Sequence, residues 1–251
     1  MRRIAVMATF PARAASVATA LGSIAAQVDK VVVVLNEYTA VPAHLAALPA
    51  GNLEFVIPED DLKDTGKFCY PVRDDDQVFL CDDDVIYPPD YAAQLAGRWQ
   101  AYRRIDAVVG VHGIIYADFF DGDPAARLVH QHTYGLDNDE FVNQLGTNTV
   151  LCGGHQMPDF AFMRSSRQFV DVRLAVHCRR ANRPLIAVAR EPGWMRELPI
   201  ETSIYETFTR VWPLAVVAEV QQIAGFRFLP AEAPARLAGV PPGAGGKRIL
   251  A

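Results

Sequence analysis

Cysteine is scarce in this sequence, and the few cysteines form no pattern. Four occur in 251 residues, at Cys69, Cys81, Cys152 and Cys178. They are far apart and include no Cys-x-x-Cys pair, which argues against a disulfide framework and against a cysteine zinc site. Such sparse cysteines are typical of a reducing compartment, so we expect a cytoplasmic protein.

Long apolar runs and an excess of positive charge are also missing. The longest apolar stretches, such as VVVVL at residues 31–35, are far shorter than the about 20 residues that span a bilayer. The N-terminal run IAVMA is too short for the core of a signal peptide, and we interpret it as part of a first strand. The formal net charge of −5 argues against a broad nucleic-acid-binding surface. We therefore expect no nucleic-acid partner and no transmembrane segment, and peripheral association with the inner face of the membrane stays open.

The first half of the chain alternates apolar runs with amphipathic segments. Strands are predicted at residues 3–9, 30–36, 53–57, 77–81 and 106–112, and helices at 14–27 and 89–104. This alternation predicts an α/β fold with an open sheet flanked by helices. Because 51% of the residues are hydrophobic and no linker is evident, we expect one domain over residues 1–225.

The second half is less regular. Residues 113–145 contain aromatic and acidic residues with little periodicity. Beyond them the pattern predicts strands at 147–152 and 184–189, a helix at 169–182, and a helix at 204–224 that is broken at Pro213. The tail, residues 226–251, is rich in proline and glycine and is predicted to be loosely ordered.

Polar side chains stand at the ends of several predicted strands. They are Thr9, Asn36, His112 and the consecutive carboxylates Asp82, Asp83 and Asp84. In open α/β sheets, ligands bind beyond the carboxyl ends of the strands. We therefore expect these side chains to converge on one crevice.

Three adjacent carboxylates repel one another and are costly to desolvate, so a nearby cation is expected. Mg²⁺ and Mn²⁺ prefer carboxylate and phosphate oxygens and need few protein ligands when phosphates supply the rest. Asp82 and Asp84, as an Asp-x-Asp at a strand end, therefore suit a divalent cation bound to a diphosphate. The alternative is a solvated acidic turn or a helix cap.

Several segments match one known pattern in order and spacing. CDDDVIYPPDY resembles a DXD region, VMATFPAR an ATxPxR strand and loop, DLKDTGKF a DLGDxGKF motif, and LGTNTV a GTGT loop. VVGVHG, and DVRLAVHCRRANRPLIAVAR followed by Trp194, fit the later elements. Together, over residues 3–205, they resemble GT-A-fold glycosyltransferases of the family 2 type, in particular bacterial enzymes that build capsular and surface polysaccharides. The sequence departs from that pattern at Asn148, where glycine is usual, and in CGGH, where the histidine usually comes two places earlier.

The resemblance implies a GT-A-type mixed sheet and transfer, with inversion, from a nucleotide sugar to a saccharide or lipid-linked saccharide. UDP is the commonest donor nucleotide of DXD enzymes. Residues 1–112 would form the nucleotide-sugar-binding half, and residues 113–225 the acceptor and catalytic half.

The resemblance also implies residue roles. Asp84, together with Asp82, would hold Mn²⁺ or Mg²⁺, and His155 or His177 would supply a third ligand. By this pattern the donor would contact Thr9, Arg13, Asp64, Lys67 and Asp82. Asn36 and Asp83 are further candidates for donor contact because they lie at the same strand ends. Lys67 follows Gly66, so its ammonium and the backbone can both approach phosphate oxygens. Asp171 would be the base, with Asp159 as second choice, and the alternative for Asp171 is a helix N-cap.

Three other functions stay open. A phosphatase of the haloacid dehalogenase type also uses Asp-x-Asp and Mg²⁺, but its motif lies nearer the N-terminus and is followed by a lysine and an Asp-Asp set that we do not find. A nucleotidyltransferase usually has a glycine-rich loop after the first strand, and ATFPAR has no glycine. The third is a module that binds a nucleotide sugar without turnover.

Overall fold

Thirteen strands and six α-helices are present in the computed structural model, which describes residues 1–123, 125–199 and 212–226. The strands are β1 (Arg3–Thr9), β2 (Lys30–Leu35), β3 (Leu53–Val56), β4 (Gln77–Cys81), β5 (Val85–Ile86), β6 (Val108–Gly110), β7 (Gly113–Tyr116), β8 (Arg127–His130), β9 (Glu140–Val142), β10 (Gln144–Leu145), β11 (Thr149–Gly153), β12 (Leu185–Ala187) and β13 (Arg196–Glu197). The helices are α1 (Ala14–Ala25), α2 (Ala43–Ala46), α3 (Tyr91–Ala101), α4 (Phe160–Met163), α5 (Val170–Arg180) and α6 (Leu214–Ile223). Short 3₁₀ helices lie at Pro11–Arg13, Lys63–Phe68, Arg103–Ile105 and Gly154–Gln156.

Eight strands form one mixed sheet in the order β3-β2-β1-β4-β11-β6-β12-β9. Strands β1, β2, β3 and β4 pair in parallel, and β6 pairs in parallel with β12. Strand β11 lies between these groups and runs antiparallel to both β4 and β6. The carboxyl ends of β1, β2, β4 and β6 therefore share one edge of the sheet, and β11 begins at that edge.

The core lies on both faces of this sheet. In β1, Ile4 and Val6 contact one buried cluster, while Ala5 and Met7 contact the other. Helices α1 and α3 cover the second face, and α5 with α6 covers the first. Burial on both faces explains why these strands are continuous apolar runs rather than alternating ones. The prediction of an α/β fold, with an open mixed sheet flanked by helices, is confirmed.

Residues 113–145 contain regular structure that the periodicity did not predict. Strands β10, β7 and β8 form a separate three-stranded sheet, and β9 pairs with β12 at the edge of the main sheet. These strands are only two to four residues long. An alternation of period two is not detectable over so few residues. The sheet order joins strands from both predicted halves.

The C-terminal predictions are only partly within the described residues. Helix α6 begins at Leu214, directly after Pro213, as expected for a residue that ends or starts a helix. Residues 204–211 of the predicted helix, and 227–251 of the predicted tail, lie outside the described residues. In the parts of the chain that the structure describes, no helix is both long and apolar enough to cross a bilayer.

Gly66 allows the 3₁₀ helix Lys63–Phe68 to press against the sheet. A Cβ atom at this position would lie 2.9 Å from Cγ1 of Val34, a fully buried side chain of β2. In contrast, a Cβ at Gly97 in α3 would have no neighbour within 4 Å. The close approach at Gly66 is what brings Lys67 under the end of β4.

Gly66→Ala is therefore expected to destabilise the protein by about 1–3 kcal/mol, because the added methyl must displace Val34 in a packed core. Gly97→Ala is the matched control and is expected to stabilise by about 0.5–1 kcal/mol, since alanine is the better helix former. Urea unfolding followed by circular dichroism measures both. Wild-type stability of Gly66→Ala would contradict the packing argument.

Candidate functional site

A cleft of about 630 Å³ opens at the edge of the sheet where β1, β2, β4 and β6 end. The predicted residues that line it are Thr9, Arg13, Asn36, Asp64, Lys67, Asp82, Asp83, Asp84, His112 and Asp171. The expected convergence of strand-end side chains is therefore present. The parallel direction of four strands, together with the antiparallel β11, accounts for it.

Lys67 lines the cleft and is only 3% exposed. Its ammonium contacts the carboxylate of Asp82 and donates to the carbonyl oxygen of Thr147 (3.2 Å) and to Thr147 Oγ1 (3.1 Å). Burial opposes the charge, but the nearby carboxylates of Asp82, Asp171 and Asp64 outweigh burial and raise the pKa of Lys67. Lys67 therefore keeps its positive charge at neutral pH.

Asp171 is the second residue of α5 and faces the same loop as Lys67. Its Oδ1 accepts a hydrogen bond from the backbone N–H of Thr147 at 2.9 Å. Phe169 occupies the N-cap of α5, so the N-cap interpretation of Asp171 is wrong. Burial raises the pKa of Asp171, and the charge of Lys67 acts against that rise. A carboxylate with a raised pKa is suited to accept a proton.

Arg13 faces the other two carboxylates of the run at longer distances. Its Nε lies 3.8 Å from Asp83 Oδ1, and a terminal nitrogen lies 3.7 Å from Asp84 Oδ2. Burial, together with the neighbouring carboxylates, raises the pKa of Asp83 to about 7 and that of Asp84 to about 6. The single guanidinium therefore does not offset the cost of burying both acids.

Three buried polar atoms at this end of the cleft have no hydrogen-bond partner among the described residues. They are Thr9 Oγ1, Arg13 Nε and Asp83 Oδ2. Thr9 lies beside Asp83, yet the two atoms make no hydrogen bond of good geometry. Buried polar atoms in proteins are nearly always paired. Their grouping in one cleft indicates a site built for a polar ligand.

Asn36 and Asp64 hold the loops that form one wall. The amide of Asn36 donates to the carbonyl of Lys63 (2.9 Å) and accepts from the N–H of Leu62 (3.0 Å). Asp64 Oδ1 accepts from the N–H of Gln168 at 2.8 Å. Lys63 and Gln168 have positive φ angles of 50° and 71°, which non-glycine residues seldom adopt. The two side chains thus maintain an unfavourable backbone, in addition to any contact with a donor.

Three predicted site residues lie away from the cleft. His155 Nε2 is 3.0 Å from Asp106 Oδ1, and His177 Nε2 is 3.1 Å from the carbonyl of Gln156. Asp159 is the N-cap residue of α4. These three residues lie away from the cleft because β11 carries the chain from the cleft to the opposite edge of the sheet before they are reached. The structure therefore does not support His155 or His177 as ligands near the aspartates, or Asp159 as the base.

The cleft also contains residues that the sequence did not single out. They are Tyr116, Arg127, His132, Gln144, Glu197 and Trp212. Tyr116, Arg127 and Gln144 lie on the unpredicted strands β7, β8 and β10, and Glu197 lies on β13, which pairs with β5. His132 Nε2 lies 3.2 Å from Glu197 Oε1, and the centre of its ring lies 5.7 Å from that of His112, with the two rings tilted by 31°. No hydrophobic periodicity in the sequence predicts these residues. The only sequence feature that could have indicated them is the local mixture of aromatic and polar residues.

A divalent cation fits this site only with help from a ligand. Among the described residues, no group of three or more histidine, cysteine, aspartate or glutamate side chains is arranged to hold a metal ion. Asp82 and Asp84 do line the cleft together, and Asp83 Oδ2 has no partner. Two carboxylates are sufficient for Mg²⁺ or Mn²⁺ when phosphate oxygens complete the coordination. The donor set therefore matches a cation that arrives with a diphosphate.

No protein-family model matches the chain, and no curated protein matches it. Solved structures of similar shape include mannose-6-phosphate isomerase from Helicobacter pylori, with 7% sequence identity and a TM-score of 0.43 over 75% of this chain and 87% of that chain. A similarity at this level carries no argument about function.

The burial of Asp64 predicts a specific pH dependence of stability. Burial raises its pKa to about 6, whereas an unfolded aspartate has a pKa of about 3.9. The folded state therefore binds this proton more tightly than the unfolded state does. The contribution of Asp64 to the free energy of unfolding is fully present below about pH 4 and is lost as pH rises through about 6. Asp64→Asn stays neutral and still accepts from Gln168. It should equal the wild type near pH 4 and exceed it by about 1–3 kcal/mol at pH 7.5.

Chemical unfolding at pH 4, 5, 6 and 7.5 measures this difference. Asp137→Asn, which removes an exposed carboxylate, is the control and should change stability little at any pH. A gain for Asp64→Asn that is the same at all four pH values would contradict the assignment.

Proposed function

We propose that this protein is a metal-dependent glycosyltransferase of the GT-A type, which moves a sugar from a nucleotide-sugar donor to a saccharide or lipid-linked saccharide. The observation that carries the proposal is the single cleft in which Asp82, Asp83 and Asp84 meet Arg13 and Lys67. Carboxylates for a cation and basic groups for a diphosphate are what a nucleotide-sugar site requires. The order of the sequence motifs agrees with the same chemistry.

The donor would occupy the end of the cleft formed by the parallel strands. Arg13 Nε and Thr9 Oγ1, which are buried without hydrogen-bond partners in the described structure, can donate to diphosphate oxygens. Lys67 is held in place by Asp82 and Thr147, so its ammonium is oriented in advance. Such preorganised charges favour the transition state, because they need no rearrangement as the leaving group gains charge.

Asp82 and Asp84 would hold Mg²⁺ or Mn²⁺, with the remaining ligands from the diphosphate. The bound cation would neutralise the charge that develops on the departing nucleoside diphosphate. Because phosphate ligands are required, Mn²⁺ alone should bind the protein weakly, and Mn²⁺ and UDP should bind it as a pair.

Asp171 is the best-placed base for an inverting transfer. It would take the proton from the acceptor hydroxyl while that oxygen attacks the anomeric carbon and the bond to the diphosphate breaks. Asp171 lines the cleft and is oriented by Thr147, the residue that also contacts Lys67. The loop that contains Thr147 therefore orients both the proposed base, Asp171, and the ammonium of Lys67.

The first test concerns the cation. Calorimetry should show UDP binding to the wild type that requires Mn²⁺ or Mg²⁺, with little heat from Mn²⁺ alone. Asp84→Asn should lose most of the metal dependence, and UDP affinity should fall about tenfold or more, since one decade is about 1.4 kcal/mol. Asp137→Asn should bind as the wild type does.

Two results would argue against this proposal. One is metal-independent UDP binding of equal affinity in the wild type and in Asp84→Asn. The other is Mg²⁺-dependent hydrolysis of phosphate monoesters, which would favour a phosphatase of the haloacid dehalogenase type instead.

The second test concerns the base. Asp171→Asn keeps an acceptor for the Thr147 N–H but cannot take a proton. It should fold and bind UDP normally, while sugar transfer drops by ~10²–10⁴-fold. Asp159→Asn is the matched control and should transfer at the wild-type rate, because Asp159 lies outside the cleft.

Transfer is measured with a panel of UDP-sugars and saccharide acceptors, and NMR of the product gives its anomeric configuration. Near-normal transfer by Asp171→Asn would exclude this residue as the base. Retention of the donor's configuration would exclude the inverting mechanism.

A further inference from the structure

Arg127 lines the cleft from the three-stranded sheet β10-β7-β8, whereas Asp82, Asp83 and Asp84 follow β4 of the main sheet. It is the first residue of β8 and pairs with Tyr116 of β7 in the antiparallel register. Its guanidinium lies over the ring of Trp212, 5.3 Å from the ring centre. Arg127, Tyr116 and Trp212 all line the cleft, so this corner belongs to the same space as the proposed donor site.

Aromatic packing fixes the position of this guanidinium. The ring of Trp212 packs 5.7 Å from that of Phe120 and 6.3 Å from that of Tyr116. The Tyr116 hydroxyl contacts Arg127 and donates to Gln144 Oε1 at 2.7 Å. A side chain held in this way loses little entropy when it binds a ligand.

The charge of Arg127 has no counterpart in the described part of the chain. Arg127 is half-buried, and the two fully buried basic side chains of the cleft face carboxylates: Lys67 contacts Asp82, and Arg13 faces Asp83 and Asp84. Within residues 1–123, 125–199 and 212–226, Arg127 forms no ion pair, and its contacts are with aromatic rings. In a cleft rich in carboxylates, an arginine without an acidic partner marks the place where an anionic group binds favourably.

We propose that the acceptor is an anionic saccharide, whose carboxylate or phosphate is bound by Arg127 beside Trp212. The planar guanidinium matches both groups, because each offers two oxygens to its parallel N–H donors. This inference rests on the proposed glycosyltransferase function, and it adds the substrate class of the acceptor.

The test uses protein labelled with 5-fluorotryptophan. The chain has three tryptophans, and Trp212→Phe assigns the resonance of Trp212. Methyl glucuronide, glucose 6-phosphate and methyl glucoside are titrated separately, in the presence of UDP and Mn²⁺. The Trp212 resonance should respond to at least one of the charged sugars at about tenfold lower concentration than to the neutral one. A response to the glucuronide alone identifies a carboxylate, and a response to the phosphate alone identifies a phosphate ester.

Arg127→Gln should abolish this preference, whereas Arg104→Gln removes an equally charged but exposed side chain and should retain it. If Arg127→Gln melts well below the wild type, Arg127→Lys decides instead, because it keeps the charge but loses the planar pair of donors. It is expected to lower the preference several-fold. Equal titration by charged and neutral sugars in the wild type would overturn the proposal, and so would full preference in both Arg127 variants.

The same samples separate this inference from the proposed function. Failure of the wild type to bind UDP with Mn²⁺ would contradict the glycosyltransferase assignment. Normal UDP binding, together with no preference for charged sugars, would overturn only the anionic acceptor.

Discussion

The buried contact of Lys67 with Asp82 and Thr147 is the constraint on which the cleft depends. It joins the 3₁₀ helix Lys63–Phe68, the end of β4 and the loop before β11 through one ammonium group. An isolated charge in this position would be very costly, and it is tolerated because several carboxylates surround it. Asp171 binds the same loop through the backbone N–H of Thr147. The position of Thr147 is therefore set by a cation and an acid that act together.

This arrangement requires the antiparallel strand. If β11 ran parallel to β4 and β6, the loop that contains Thr147 would lie at the opposite edge, far from Lys67. Because β11 is antiparallel to both neighbours, its amino end meets the carboxyl ends of β1 and β4. The antiparallel direction of β11 thus brings the two halves of the sequence together at the cleft. It also takes His155 away from it.

Local pattern and strand direction explain which features were predictable. The long apolar strands β1, β2 and β4 are buried on both faces, so their sequences identify them and place Thr9, Asn36 and Asp82 at one edge. The strands that supply Tyr116 and Arg127 are too short for a periodic signal, and their position depends on pairing between distant segments. The direction of β11 is a tertiary property as well, since its apolar run is compatible with either direction. Sequence spacing alone thus placed His155, His177 and Asp159 wrongly at the site, whereas Asp171, which also follows β11, does line the cleft.

The electrostatics of the cleft determine how many protons its carboxyl groups hold near neutral pH. Burial and mutual repulsion keep the pKa of Asp83 near 7 and those of Asp64 and Asp84 near 6. At neutral pH a fraction of these carboxyls is therefore protonated, although an exposed aspartate would be fully ionised. In the proposed function, a cation that binds to Asp84 would displace that proton, so cation binding would release protons and strengthen as pH rises towards 7. The burial that makes these acids costly to the fold is the same property that makes a positively charged ligand favourable, since ligand binding offsets the cost by mass action. Under that proposal, a carboxylate that the cation needs is also costly to the fold, so replacing Asp84 by a neutral residue would stabilise the protein and weaken cation binding.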